Sequence, residues 1–108
     1  MEKYMIKPFI VGVLMLGLQP AHAVDSAEAL AQKSNCLMCH SVSAAIVGPA
    51  YKDVARKYKG DKGAEARLVA KVKAGGSGVW GKMPMPPNSP QVKDEDISTI
   101  VKWVLSLE

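Results

Sequence analysis

Two thiols and an imidazole fall within five residues in Cys36-Leu37-Met38-Cys39-His40, and this C-x-x-C-H run matches the attachment pattern of a c-type haem. On a helical turn Cys36 and Cys39 stand at i, i+3, and Cys36 and His40 at i, i+4, so all three side chains address one face. The thiols could then add to the two vinyl groups of a haem while His40 coordinates its iron. Three other chemistries use the same residue types. A thioredoxin-like dithiol needs a βαβ setting, which the chain lacks. A structural zinc site needs four ligands, and beyond residue 23 the chain holds two cysteines and one histidine. A plain Cys36–Cys39 disulfide is allowed if the chain is exported.

The beginning of the chain points to export. Lys3 and Lys7 precede an uncharged stretch from Phe9 to Leu18, and Ala21-His22-Ala23 supplies the small-residue pattern of a secretory signal peptide cleaved after Ala23. A membrane anchor is the poorer reading, because ten apolar residues at ~1.5 Å each span about half of a ~30 Å hydrocarbon core. The expected organisation is a cleaved leader over 1–23 and one domain over 24–108, placed in the periplasm without stable membrane insertion. Processing removes His22, Met1, Met5 and Met15, leaving Met38, Met83 and Met85. The formal net charge of +4 is mildly basic, and no motif supports nucleic-acid binding.

Hydrophobic spacing predicts four helices. The first is capped by Asp25 or Ser26 and carries Ala27, Leu30 and Ala31 on one face. After a loop from Ser41 to Pro49, a second helix follows Pro49, a residue type suited to a helix's first turn, with Tyr51, Val54, Ala55 and Tyr58 as its stripe, and Gly60 ends it. A third runs from Ala64 to Ala74, burying Leu68, Val69 and Val72, with Lys71 and Lys73 in its last turn and Gly75-Gly76 as the stop. The fourth starts near Asp94, and Ile97, Ile100, Val101, Val104 and Leu105 form its apolar face. Residues 75–90 are too rich in glycine and proline for a helix or central strand, and read as one long loop. Its Val79, Trp80, Met83 and Met85 need apolar surroundings, so something large is expected beneath it. The domain reads as all-α.

A haem iron held by His40 has a sixth position, and residues 24–108 contain no second histidine to fill it. Methionine is the expected ligand, and it raises the reduction potential. Met38 lies inside the attachment turn, turned away from the coordination axis. Met83 and Met85 each precede a proline, which biases both towards extended backbone. Spacing does not choose between these two.

Beyond residue 23 the whole chain resembles the short bacterial class I monohaem cytochromes c of the c-551/c-552 type. The likeness is carried by Cys36-Leu-Met-Cys-His40, Val47-Gly-Pro-Ala-Tyr-Lys-Asp-Val54, Gly78-Val-Trp-Gly81, Met83-Pro-Met-Pro-Pro-Asn88 and Lys102-Trp-Val-Leu-Ser106. It implies a fold of about four helices wrapped around one covalently bound haem c, with Met85 as the second axial ligand and Met83 packed nearby. It also implies that a carbonyl of the Gly48-Pro49 turn accepts the second ring N–H of His40, orienting it. Asn88 would hold the Met85 sulfur, Trp80 would donate to a haem propionate, and Lys71 would be a basic neighbour of that propionate. Each has a plainer alternative: turn residue, loop anchor and partner of the helix dipole. Trp103 reads as core, packing the last helix on the first.

With His40 and Met85 both on iron, no position is open to peroxide, oxygen or a substrate, so the expected function is electron carriage and not catalysis. The resemblance implies a monomer serving redox partners such as a nitrite reductase, a peroxidase, a terminal oxidase or a quinol-oxidising complex. The rivals are a haem enzyme or gas sensor with an open iron position, and a redox-inactive module closed by a disulfide. Lys52, Arg56, Lys57, Lys59 and Lys62 crowd the second helix and the turn after it. They read as a solvated face before a docking patch, since rim charges mainly tune encounter rate.

Overall fold

The computed structural model describes residue 5, residues 7–17 and residues 23–108. The expected cleavage residues Ala21 and His22 lie outside the described residues. Phe9, Ile10, Leu14 and Leu16 stand exposed, and the described part of the apolar stretch forms no helix or strand. Among the described residues no helix is long and apolar enough to cross a membrane.

Helix α1 spans Ala23–Lys33, so Ser26 lies within its first turn and does not cap it. Asp25 is inside the same turn, and its side chain is outside the description. Asn35 then adopts a left-handed conformation at φ 64, which a short polar side chain tolerates, and the chain enters a 3-10 turn over Cys36–Met38. Helix α2 spans Tyr51–Lys57. It follows Pro49 as expected: Ala50 is the N-cap, with extended φ −61 and ψ 140, and the helix starts after it. That start leaves the Pro49 carbonyl outside the helical ladder.

Helix α3, Ala64–Ala74, has the expected bounds and stops where Gly75 takes φ 72. It buries less than its sequence pattern implied: Ala64 is buried, whereas Leu68, Val69 and Val72 are half-buried. The segment after it is not wholly irregular. Strand β1, Gly76–Gly78, pairs antiparallel with β2, Gly81–Met85, setting Gly76 opposite Met85 and Gly78 opposite Gly81 around an irregular register. Gly76, Gly78 and Gly81 hold φ of 132, 120 and 118, which side chains resist. The glycine content that argued against a strand is what permits this tight ribbon.

Helix α4, Asp94–Ser106, closes the domain, with Asp94, Glu95 and Asp96 in its first turn complementing the helix dipole. The core lies where α1, α2 and α4 meet, around Ala27, Ala31, Tyr51, Val54, Ile100 and Trp103. Trp103 joins α4 to α1 as expected, and sets its edge against Tyr51 with ring centres 5.6 Å apart. Helix α3 is tied to α4 at the surface by Lys73–Asp94 at 2.9 Å and Lys102–Glu65 at 3.8 Å. Such pairs contribute about 0–1 kcal/mol each, so their role is alignment.

At the head of α3 the Asp61 carboxylate accepts the Gly63 N–H at 3.0 Å and pairs with Arg67. The Arg67 hydrogen bond, then that N–H, hold the Asp61 carboxyl below its ordinary value. A carboxyl depressed on folding stabilises the fold above its unfolded pKa, and loses that effect as pH falls through the folded value. The stability gap between wild type and Asp61→Asn should therefore be present at neutral pH and close below about pH 4. Thermal unfolding across acidic pH reads this directly; a gap that persists or widens in acid would contradict it.

Candidate functional site

The attachment segment is folded by its own backbone. The His40 N–H donates to the Cys36 carbonyl at 3.0 Å and the Cys39 N–H to the same oxygen at 3.3 Å, keeping the three side chains within one turn. Both thiols are free and half-buried. Burial pushes the Cys36 thiol up, with a partial offset from the adjacent Tyr51 hydroxyl. Burial, and then the two thiols, push the Tyr51 phenol far above its usual range. Cys36 and Tyr51 therefore remain neutral near pH 7.

His40 is fixed on three sides. Its Nδ1 donates to the Pro49 carbonyl at 2.8 Å, which leaves Nε2 as the ring nitrogen available to a metal. Tyr51 stacks on the ring with centres 4.9 Å apart and planes 19° from parallel. Gly48 presses on it so closely that a Cβ there would lie 2.5 Å from Cε1. The Gly48 N–H in turn donates to the Cys39 carbonyl at 2.7 Å, folding the 41–49 loop back onto the attachment turn. Sequence reasoning placed the Gly48-Pro49 turn here as a carbonyl acceptor for His40, and missed the close approach of Gly48 to the ring and the stacking of Tyr51. The signal was the adjacency in Gly48-Pro49-Ala50-Tyr51, where the spacing marks Tyr51 only as part of a helix face.

These groups border a cleft of ≈ 350 Å³ with an apolar lining. Leu68 and Val72 of α3 and Ile97 and Val101 of α4 line it, and the hairpin contributes Trp80, Met83 and Met85. Met83 and Met85 are two apart on β2 and so share a face, which is why both reach the cleft. They differ in depth. Met83 is 68 % exposed, whereas Met85 is half-buried at the base of the ribbon, where a Cβ on Gly75 would meet its carbonyl at 2.5 Å. Met38 is exposed and is absent from the lining.

Lys71, Trp80 and Asn88 all line the same cleft. Lys71 Nζ lies 3.5 Å from the Ser77 carbonyl and close over Gly76. Asn88 does something other than expected: its Nδ2 donates to the carbonyls of Val72 and Pro86, both at 3.2 Å, and its backbone N–H also reaches Val72. The last carbonyls of α3 lack helical partners and are better acceptors than a thioether sulfur. In this arrangement Asn88 ties the Met85 loop to α3 and leaves the sulfur alone. The basic cluster on α2 is also not uniform, because Arg56 pairs with Asp53 at 2.7 Å and Lys57 stands over aromatic rings.

This set of residues fits a haem. It offers two free thiols, an imidazole whose other N–H is already committed, methionines on the same apolar cleft, and Lys71 and Trp80 as donors for carboxylates. Among the described residues no group of three or more His, Cys, Asp or Glu side chains converges to hold a bare metal ion.

The sequence pattern of the cytochrome c family matches residues 24–108. A cytochrome c-551 of Allochromatium vinosum is 65 % identical over 78 residues, 72 % of this chain and 82 % of that protein. A cytochrome c-551 of Pseudomonas aeruginosa is 46 % identical over 105 residues, covering 94 % of this chain and 98 % of its own. Among solved structures, wild-type Nitrosomonas europaea cytochrome c552 superposes with a TM-score of 0.71 at 47 % identity, covering 75 % of this chain and 99 % of that one. The expected class I fold is the observed one, with the small hairpin as an added detail.

Proposed function

The chain belongs to the cytochrome c family, electron carriers and not enzymes that hold one haem c covalently, and from that premise we propose a periplasmic shuttle whose haem has His40 and Met85 as axial ligands. The observation that carries the reading is the depth of Met85 in the cleft that His40 also lines. When bound, the haem supplies a reversible one-electron couple at iron. Everything else is the work of side chains and backbone. Cys36 and Cys39 anchor the group through thioethers. His40, with Nδ1–H donated to Pro49, presents a more basic Nε2 in a fixed orientation. The stack of Tyr51 and the pressure of Gly48 keep that ring still when the iron charge changes.

On the other ligand, Asn88 binds the Met85 loop to the end of α3, so the sulfur is held by backbone tied to a helix. Trp80 and Lys71 line the cleft as donors that would meet the haem carboxylates, and the apolar residues of α3 and α4 would keep water from the buried edge of the site. Two protein ligands leave no open coordination position, which supports electron exchange without bond chemistry. The signal-peptide pattern over 1–23 supports export and processing. Partners of this class include nitrite reductases, peroxidases, terminal oxidases and quinol-oxidising complexes. With Arg56 and Lys57 engaged, the charges left for any rim contact on this face are Lys52, Lys59 and Lys62.

Carbon monoxide tests the six-coordinate assignment. The ferrous protein should give up one electron and take it back freely, yet bind carbon monoxide negligibly at neutral pH. Rapid binding of the gas, or turnover of peroxide, would instead place this chain among haem enzymes or sensors.

A further inference from the structure

Lys57 ends α2, and its ammonium lies 5.9 Å from the centre of the Tyr58 ring and 5.7 Å from that of Trp80. The two rings belong to different parts of the fold: Tyr58 follows α2, while Trp80 sits in the turn between β1 and β2. Both line the cleft. Among the described residues Lys57 has no carboxylate within ion-pair distance, and Lys52, Lys59 and Lys62 stand over no ring. The contact is therefore particular to this one lysine of the basic cluster.

The Trp80 segment needs an external hold. Gly78 and Gly81 flank it with φ of 120 and 118, conformations that only glycine adopts easily, so the ribbon does not by itself set the direction of the indole. The other basic contact to the hairpin, Lys71 to the Ser77 carbonyl, is long at 3.5 Å. A cation over an indole face is attracted to the ring quadrupole.

We infer that Lys57 is a positioning residue, a latch that joins the hairpin turn to the end of α2 and sets the orientation in which Trp80 offers its indole N–H to a haem carboxylate. The inference rests on the reading of Trp80 as a carboxylate donor. Glutamine at 57 keeps much of the bulk and loses the cation. Arginine keeps the cation and adds a planar face that stacks on aromatic rings, so it should substitute.

The test uses the haem-loaded protein and proton NMR. Lys57→Gln should speed hydrogen exchange at the Trp80 indole N–H about two- to five-fold, the loss expected for one exposed cation–π contact. Lys57→Arg should restore the wild-type rate, and Lys59→Gln, which removes the same charge nearby, should leave it unchanged. A wild-type rate in Lys57→Gln, no rescue by arginine, or equal acceleration in Lys59→Gln would overturn the latch. The contact itself is read separately, from an upfield ring-current shift of the Lys57 ε-methylene that diminishes in Trp80→Leu. If that shift is present but the wild-type indole exchanges as fast as free indole, the carboxylate reading of Trp80 fails and the latch has nothing to position. If the shift is missing, the latch alone is wrong.

Discussion

Met85→Ala should abolish the sulfur-to-iron charge-transfer band of the ferric protein and lower its reduction potential by on the order of a few tenths of a volt, within the ~0.8 V that axial ligands span. A neutral thioether favours the ferrous state, so its replacement by water or hydroxide favours the ferric one. Met83→Ala should keep the band and shift the potential far less. The two methionines are close to equivalent by local criteria: each precedes a proline, and both point from the same face of β2. They part in depth, since Met85 is half-buried beside Gly75 and Met83 is mostly exposed. Loss of the band in Met83→Ala with retention in Met85→Ala would reverse the ligand assignment.

Gly48→Ala should be nearly as damaging, although it adds one methyl group at a half-buried loop position. The added Cβ would lie 2.5 Å from His40 Cε1, 2.9 Å from Nδ1 and 3.0 Å from Nε2. The ring has little room to yield, with Tyr51 stacked on it and Pro49 holding Nδ1 at 2.8 Å. Relief means moving the imidazole away from the Pro49 carbonyl. The expected cost is about 1–3 kcal/mol from overpacking, with about 0.5–1.5 kcal/mol more if the hydrogen bond is lost. Denaturant midpoints of the haem-loaded protein measure the first effect. The second has its own signature: an imidazole that no longer donates Nδ1–H is a weaker electron donor to iron, so the potential should rise. Unchanged midpoint and potential together would mean that the loop yields and the ring does not.

The opposite signs of the two potential shifts separate the two ligands. Removing the sulfur destabilises the ferrous state, whereas weakening the imidazole destabilises the ferric state. A variant that merely loosened the fold would lower the denaturant midpoint without this pattern.

Much of this protein was legible in the order of its residues. The C-x-x-C-H run states its geometry within one turn, because backbone bonds between residues three and four apart bring the thiols and imidazole to one face. Helix α3 has its expected bounds for a similar reason: its apolar period and the glycine that stops it are properties of consecutive residues. Boundaries slipped at α1, where Ser26 lies inside the first turn, and in the glycine-rich loop, which holds a paired ribbon. Helix α2 follows Pro49 as expected, and the Pro49 carbonyl stays free to meet His40.

What only the tertiary structure decided are choices among local equals. Met83 and Met85 share a face and a following proline, and only the packing of β2 against the end of α3 makes one deeper. Asn88 had a side chain suited to a sulfur, a carbonyl or a turn; the unsatisfied end of α3 took it. The contact of Lys57 with the Trp80 ring likewise depends on which distant segments meet. Short-range spacing determined how this chain takes hold of a haem, because covalent geometry transmits it residue by residue. Depth, partner choice and the caging of His40 are set when segments far apart in sequence compete for the same space and the same hydrogen bonds, and no local pattern records the outcome of that competition.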